Sequence, residues 1–214
     1  MVTRTEPIPS RETERVRLIW EKLAPKYDGQ MGFCDKVLFG DSRRWVCSRA
    51  DGDVLELAVG TGRNLDRYPP GPRLTGVDFS APMLELARLR GERLGRVIDL
   101  RLGDAQALKF PAASFDTLVC TLALCSIPDD RRALGEVMRV LRPGGRFLSL
   151  EHVASHIAPV RAGQTVLDWI SVRTEGDHQL RNPLPHLRAL GFEIEVVERL
   201  KWGIVQRLVA RKTT

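Results

Sequence analysis

The stretch from Val54 to Asn64 constrains the fold of this chain more than any other. Apolar Val54, Leu55, Leu57 and Val59 around Glu56 mark a buried strand. Gly60 and Gly62 then allow a tight turn into the start of a helix. A ligand resting on such a turn meets free backbone N–H groups and the positive end of a helix dipole. The stretch therefore predicts a nucleotide-like cofactor carried on an α/β sheet.

Its chemistry narrows the choice of cofactor. A dinucleotide fingerprint needs a third glycine, for helix packing beside a pyrophosphate, and Leu65 stands in that place. No Gly-Lys-Ser/Thr follows, so a phosphate-cradling P-loop is also excluded. Glu56 sits inside the strand that feeds the turn, where a carboxylate repels phosphate and attracts a cation. S-adenosylmethionine carries an ammonium and a sulfonium and no phosphate, and it suits that charge pattern.

Further blocks follow in order. Leu74 to Ser80 reads as a second strand ending at Asp78, and Gly103-Asp104-Ala105 follows a third apolar run. Phe110 to Asp116 leads into a fourth strand, and Leu141 to Phe147, with Pro143-Gly144-Gly145, makes a turn into a fifth. Together these blocks resemble the class I S-adenosylmethionine-dependent methyltransferases over roughly residues 50–155. The resemblance implies a Rossmann-like, seven-stranded α/β sheet with an antiparallel last strand and helices on both faces. It also implies S-adenosylmethionine as methyl donor and S-adenosylhomocysteine as product.

By the same resemblance Asp78 binds the ribose hydroxyls, as an acceptor-only carboxylate can, and Asp104 meets the adenine amino group. Glu56, Ala58, Gly60, Gly62, Asn64, Phe79, Met83, Ala105 and Thr121 complete the implied cofactor set. Ala58 stands where the family usually has its first glycine, and an alanine fits there if it keeps strand-like angles.

Composition sets the frame. The chain has 214 residues, 43% hydrophobic and 28% charged, which suits one soluble domain with a full core. Met1 to Ser10 reads as a flexible leader, residues 11–50 as an N-terminal helical lid and 51–214 as the α/β core. No apolar run reaches the ~20 residues of a membrane span. Cys34, Cys47, Cys120 and Cys125 show no metal-ligand spacing and read as free thiols in a reducing cytoplasm. The net charge of +6 admits a nucleic-acid or anionic-membrane partner. The basic residues are nonetheless scattered, without interleaved aromatics, so the arginines read as solvated helix faces and nucleic acid is not favoured.

A helix is expected from Arg11 to Ala24, ended by Pro25, and a second from about Asp35 to Ala50. Strands are expected near 53–59, 73–78, 98–102, 115–122 and 146–151, with helices between them best marked at 81–94 and 130–141. A short helix closed by Gly191 and a terminal pair, 192–199 and 204–210, complete the pattern. The stripe Val16, Ile19, Trp20 and Leu23 either packs over the site or docks at a bilayer, and the first reading is favoured.

Methyl transfer needs alignment of a nucleophile more than dedicated acid–base groups. His152, beside Glu151 at the end of the fifth strand, is the first candidate base and is expected to face the substrate cavity. A structural histidine is the equal alternative. His178, in a connection that similar enzymes use as a lid, is the second candidate. Tyr27 is expected to close over the cofactor near the sulfonium. Thr121, Leu122 and Ser126 are expected to line the methyl site, and no Asn/Asp-Pro-Pro-Tyr/Phe follows the fourth strand. A small-molecule acceptor bearing a thiol, hydroxyl or amine is therefore the leading expectation. Lipid, quinone and RNA acceptors, and a non-catalytic cofactor-binding module, are the alternatives. Oligomeric state is not legible in the sequence.

Overall fold

Seven strands form one sheet in the order β3-β2-β1-β4-β5-β7-β6. They are β1 (Asp53–Leu57), β2 (Arg73–Asp78), β3 (Ile98–Leu102), β4 (Phe115–Thr121), β5 (Leu141–His152), β6 (Phe192–Leu200) and β7 (Val205–Lys212). The computed structural model describes residues 10–213, without the side chains of Phe33 and Cys34, so all of the leader read over residues 1–10 except Ser10, the cap of the first helix, lies outside the described residues. The first five strands run parallel, and β7 lies antiparallel between β5 and β6. The chain progresses outward from β1 to β3 on one side and from β4 onward on the other. That reversal opens a crevice beyond the carboxyl ends of β1 and β4.

Two apolar layers close on the sheet. Leu55, Leu57, Leu118, Phe147 and Leu208 pack on one face with Ala133, Leu134, Val137 and Val140 of helix α4 (Asp130–Val140). Val54, Val119, Leu148 and Val209 pack on the other face with Val46 and Cys47 of α2 (Ser42–Cys47) and with Tyr68. Helix α3 (Ala81–Leu94) starts at a Ser80 cap with Pro82 in its first turn and ends at left-handed Gly95, as its sequence predicts.

Four expectations are corrected. Helix α1 (Arg11–Cys34) does not stop at Pro25. Pro25 is exposed, so its ring displaces no core packing, while ion pairs from Asp28 to Arg63 and Arg90 hold the following turns to the core. The single helix expected over 35–50 is a π-helical turn, Asp35–Phe39, followed by α2, with left-handed Gly40 between them.

No helix follows β1. Residues 59–67 form successive short turns, closed by Gly62 N–H to Val59 O and Leu65 N–H to Gly62 O, and Pro69, Pro70 and Pro72 withhold the donors a helix would need. Finally, a helix absent from the sequence pattern, α5 (Ala158–Thr174), follows β5 and precedes the expected short α6 (Leu184–Ala189). Only Gln164 of α5 is fully buried, so the helix has no apolar core stripe for a sequence pattern to reveal.

Gly62 has φ +73°, and a Cβ built on it would stand 2.8 Å from Leu65 Cδ1. Gly62→Ala should therefore cost about 1–3 kcal/mol through left-handed strain and overpacking. A urea titration reads this, and an unmoved midpoint would show that the turn absorbs a side chain.

Candidate active site

The carboxyl ends of β1, β2, β4 and the segment after β3 meet under α1 around a cavity of roughly 820 Å³, open solvent at its mouth included. That is the size range of small-ligand sites. Of the expected cofactor residues, Glu56, Ala58, Gly60, Asn64, Asp78, Phe79, Met83, Asp104, Ala105 and Thr121 line it. Gly62 does not; it supports the turn from behind, against Leu65 and Ala87.

Asp78 closes β2 and is almost fully buried. Its Oδ2 accepts from Gly60 N–H and its Oδ1 from Ser80 N–H, each at 2.9 Å. Burial pushes its pKa up to about 6, against the pull of those backbone donors and of Phe79 N–H. Each oxygen keeps acceptor capacity for a further donor. Above Gly60, φ +55°, a Cβ would meet nothing within 4 Å, so the turn leaves room for a ligand to lie on the backbone.

Ala58 is corrected: its φ is +51°, in the left-handed region rather than strand-like. An alanine there carries roughly 1–2 kcal/mol of strain that a glycine would escape.

Glu56 is also not the free anion its sequence position suggests. Its Oε1 accepts from Asn64 Nδ2 at 2.8 Å and its Oε2 from Tyr68 O–H at 2.7 Å. Burial raises its pKa to about 7 despite these donors and nearby Arg43. Asn64 Nδ2 also reaches Thr121 Oγ1 at 2.9 Å, so the carboxyl group works as an anchor of the turn.

Sequence reasoning missed the cations. Arg43 is 5% exposed and donates from Nη1 to Asn64 Oδ1 at 3.1 Å and Thr121 Oγ1 at 3.0 Å, and from Nε to Asp35 Oδ1 at 2.9 Å. Arg63 pairs with Asp35 at 2.6 Å and Asp28 at 3.2 Å. Both arginines line the cavity. Arg63 borders the glycine turn and was findable on that ground, whereas nothing in the sequence distinguishes Arg43 from the other arginines.

Gln106 was also missed. It donates to both oxygens of Asp104, at 2.9 and 3.1 Å, and contacts Thr13 of α1 at 3.3 Å. Tyr27 and Trp20 line the cavity from α1, packed edge to face with centroids 5.8 Å apart. Burial lifts the Tyr27 pKa to about 12. Val16 is buried and Trp20 faces the cavity, so part of the stripe on α1 covers the site.

His152 and His178 do not line this cavity. The expectation that His152 faces it is corrected, because the end of β5 turns its ring toward the loop after α5. Its Nε2 lies 3.4 Å from Asp177 Oδ1. Burial pulls the imidazole pKa down, but Asp177, Glu151 and the backbone at Gln179 outweigh it and hold the value above the usual one. Burial, with Arg181, holds His178 below its usual value.

Cys125 lies on the same side, and it, His152 and Asp177 bring one donor atom each within 4.8 Å of the others, a grouping sequence spacing does not reveal. Among the described residues Cys47, Cys120 and Cys125 are free and buried.

Residues 55–149 match the methyltransferase domain family. The chain is 35% identical over 144 residues to a demethylmenaquinone methyltransferase of Thermus thermophilus, covering 62% of this chain and 64% of that protein. It is 35% identical over 133 residues to a human thiol S-methyltransferase, covering 60% of this chain and 54% of the relative. The matched region thus spans less than two thirds of either relative. A SAM-dependent methyltransferase of Thermotoga maritima superposes with a TM-score of 0.72 at 22% identity, covering 92% of this chain and 99% of that one, and so shares its fold. Residues 55–149 thus carry the match to the methyltransferase domain family, and the strand order is that of the class I methyltransferase fold.

A ribose bound as expected would favour the ionised form of Asp78, whose carboxyl group burial pushes up to about 6 in the free protein. Affinity for S-adenosylhomocysteine should therefore fall as pH drops through that value, by up to about tenfold per unit below it. Asp78→Ala should weaken binding by about 1.5–3 kcal/mol and flatten this pH dependence. Calorimetry across pH reads both, and a wild-type affinity constant from pH 5 to 8 would remove the ribose assignment.

Proposed function

We propose that this protein transfers the methyl group of S-adenosylmethionine to a thiol, hydroxyl or amine of a small-molecule acceptor by in-line displacement. The observation that carries the reading is the buried Asp78 carboxyl group, tied to Gly60 N–H beside open space over Gly60. That arrangement fits a ribose lying across a glycine turn. The cofactor would supply the activated methyl group.

In this reading Asp78 binds the ribose and Asp104, oriented by Gln106, meets the adenine. The remaining donor capacity of Arg43 and Arg63 suits the carboxylate of the methionyl part. Glu56 and Asn64 keep the turn in shape. Tyr27 and Trp20 cover the sulfonium side, excluding water and offering aromatic faces to a cation.

The acceptor enters against Thr121, Leu122, Ala123, Ser126 and Ile127, all of which line the cavity. Neither histidine reaches the cavity, so alignment of an acceptor already deprotonated carries the rate. His152, paired with Asp177, serves to position the loop after α5. A thiol suits such a site well, because its thiolate is accessible near neutral pH. The thiol S-methyltransferase among the relatives supports that preference.

Turnover of a labelled methyl group against thiols, phenols, amines, lipids and RNA tests the assignment. Transfer to a small-molecule member of the panel is the expected outcome, and transfer to none of them, with S-adenosylhomocysteine still bound, would leave a cofactor-binding module. Tyr27→Ala should slow turnover about 2- to 30-fold, from a lost cation–π contact. Tyr27→Phe should stay near wild type; equal loss in both would point to the hydroxyl instead.

A further inference from the structure

Helix α5 is amphipathic the wrong way round. Its inward side carries Gln164, Asp168 and Ser171, while Val166, Leu167, Trp169 and Ile170 stand 63%, 59%, 61% and 46% exposed. Polar contacts hold it to the body. Gln164 Oε1 accepts from Ser155 N–H at 2.7 Å and Gln164 Nε2 donates to Val153 O at 3.0 Å. Ser171 Oγ donates to Asp177 O at 2.7 Å, and Arg15 of α1 donates to Val172 O and Arg173 O at 3.1 and 3.3 Å.

The helix is thus fastened through hydrogen bonds and leaves its apolar side bare. The turn between β6 and β7 adds Trp202, 69% exposed. Its backbone O accepts from Ser155 Oγ at 2.5 Å, which sets the turn beside the residue that Gln164 also holds. Four large apolar side chains exposed together on one helix, with Trp202 exposed on a turn tied to the same segment, mark a face suited to contact rather than single scattered residues.

We propose that the outer face of α5, with the Trp202 turn beside it, docks this protein on an anionic lipid surface. Charge selects the occupant. Arg173 and Lys201 flank the patch and Arg161 is exposed near the start of the helix, and among the described residues none of the three has an ion pair with an acid. The Arg173 guanidinium lies 4.2 Å from the Trp169 ring centroid, cation and aromatic side by side. Of the nearby acids, Asp168 lies on the inward side and Glu175 follows the helix.

A second copy would set this patch against itself, as isologous interfaces do, and bring the unpaired cations of both copies together. A bilayer with acidic headgroups takes the apolar residues below the headgroups and answers the cations at their level. Tryptophan is the residue such interfaces favour. The whole chain carries a net charge of +6, which adds to the attraction. The docked helix is bonded to α1, which roofs the cavity with Trp20 and Tyr27, so docking would place the cavity mouth close to the lipid.

Sedimentation of the full chain with vesicles tests this without any turnover, so it stands or falls apart from the methyl-transfer reading. Binding is expected to vesicles of phosphatidylcholine mixed with phosphatidylglycerol, to weaken on pure phosphatidylcholine, and to weaken with added salt. Trp169→Ser with Ile170→Ser should lower partitioning about tenfold or more. Arg161→Glu and Lys201→Glu should each lower it about fivefold or more. Melting temperature and S-adenosylhomocysteine affinity should stay at wild-type values in all of them, since the changed side chains are exposed.

Absence of binding to either vesicle overturns the proposal, as does binding indifferent to Trp169 and Ile170. A dimer in analytical ultracentrifugation that Trp169→Ser with Ile170→Ser disperses, without lipid binding, would assign the patch to self-association instead.

Discussion

The tie between Asp78 and the glycine turn organises the molecule. A carboxyl group at the end of β2 accepts from Gly60 N–H after β1 and from Ser80 N–H at the cap of α3. It thereby joins two strand ends and a helix start at one buried point. Burial raises the cost of its charge, so the free protein holds this group at a pKa of about 6. A ligand that donates hydroxyls to it relieves that cost. The same contact that shapes the crevice is therefore the one a sugar would complete.

A second buried network fixes the floor beside it. Asn64 binds Glu56 and Thr121, Tyr68 binds Glu56, and Arg43 binds Asn64, Thr121 and Asp35. Each member is satisfied by another, which is how an interior tolerates so many polar groups. The network extends to α1, because Asp28 and Asp35 near its end bind Arg63. The helix over the cavity is thus fastened to the turn beneath it by charge. Its upper turns pack through Val16 and contact Gln106 through Thr13.

On the far side the same logic is inverted. Helix α5 meets the body through hydrogen bonds and keeps its apolar residues outside, so its stability does not come from a shared core. The His152–Asp177 pair links the end of β5 to the loop after α5. These features place a helix with an exposed apolar face beside α1.

The sheet, the glycine bend and the acids that close the strands were legible in the order of residues alone. Those features depend on periods of apolar residues and on local backbone demands, which neighbours in the chain express. It also located ten of the eleven expected cofactor residues on the cavity wall.

Contacts between distant segments set the rest. Arg43, Gln106 and Asp35 act through partners far away in sequence, so no local pattern marks them. His152 points away from the cavity because the end of β5 faces a loop whose position the sequence does not encode locally. The left-handed angle of Ala58 follows from the path the turn must take between β1 and its ties to Asp78 and Glu56. No apolar period marks helix α5, because its buried side is polar, and burial is a property of the assembled fold rather than of the string of residues.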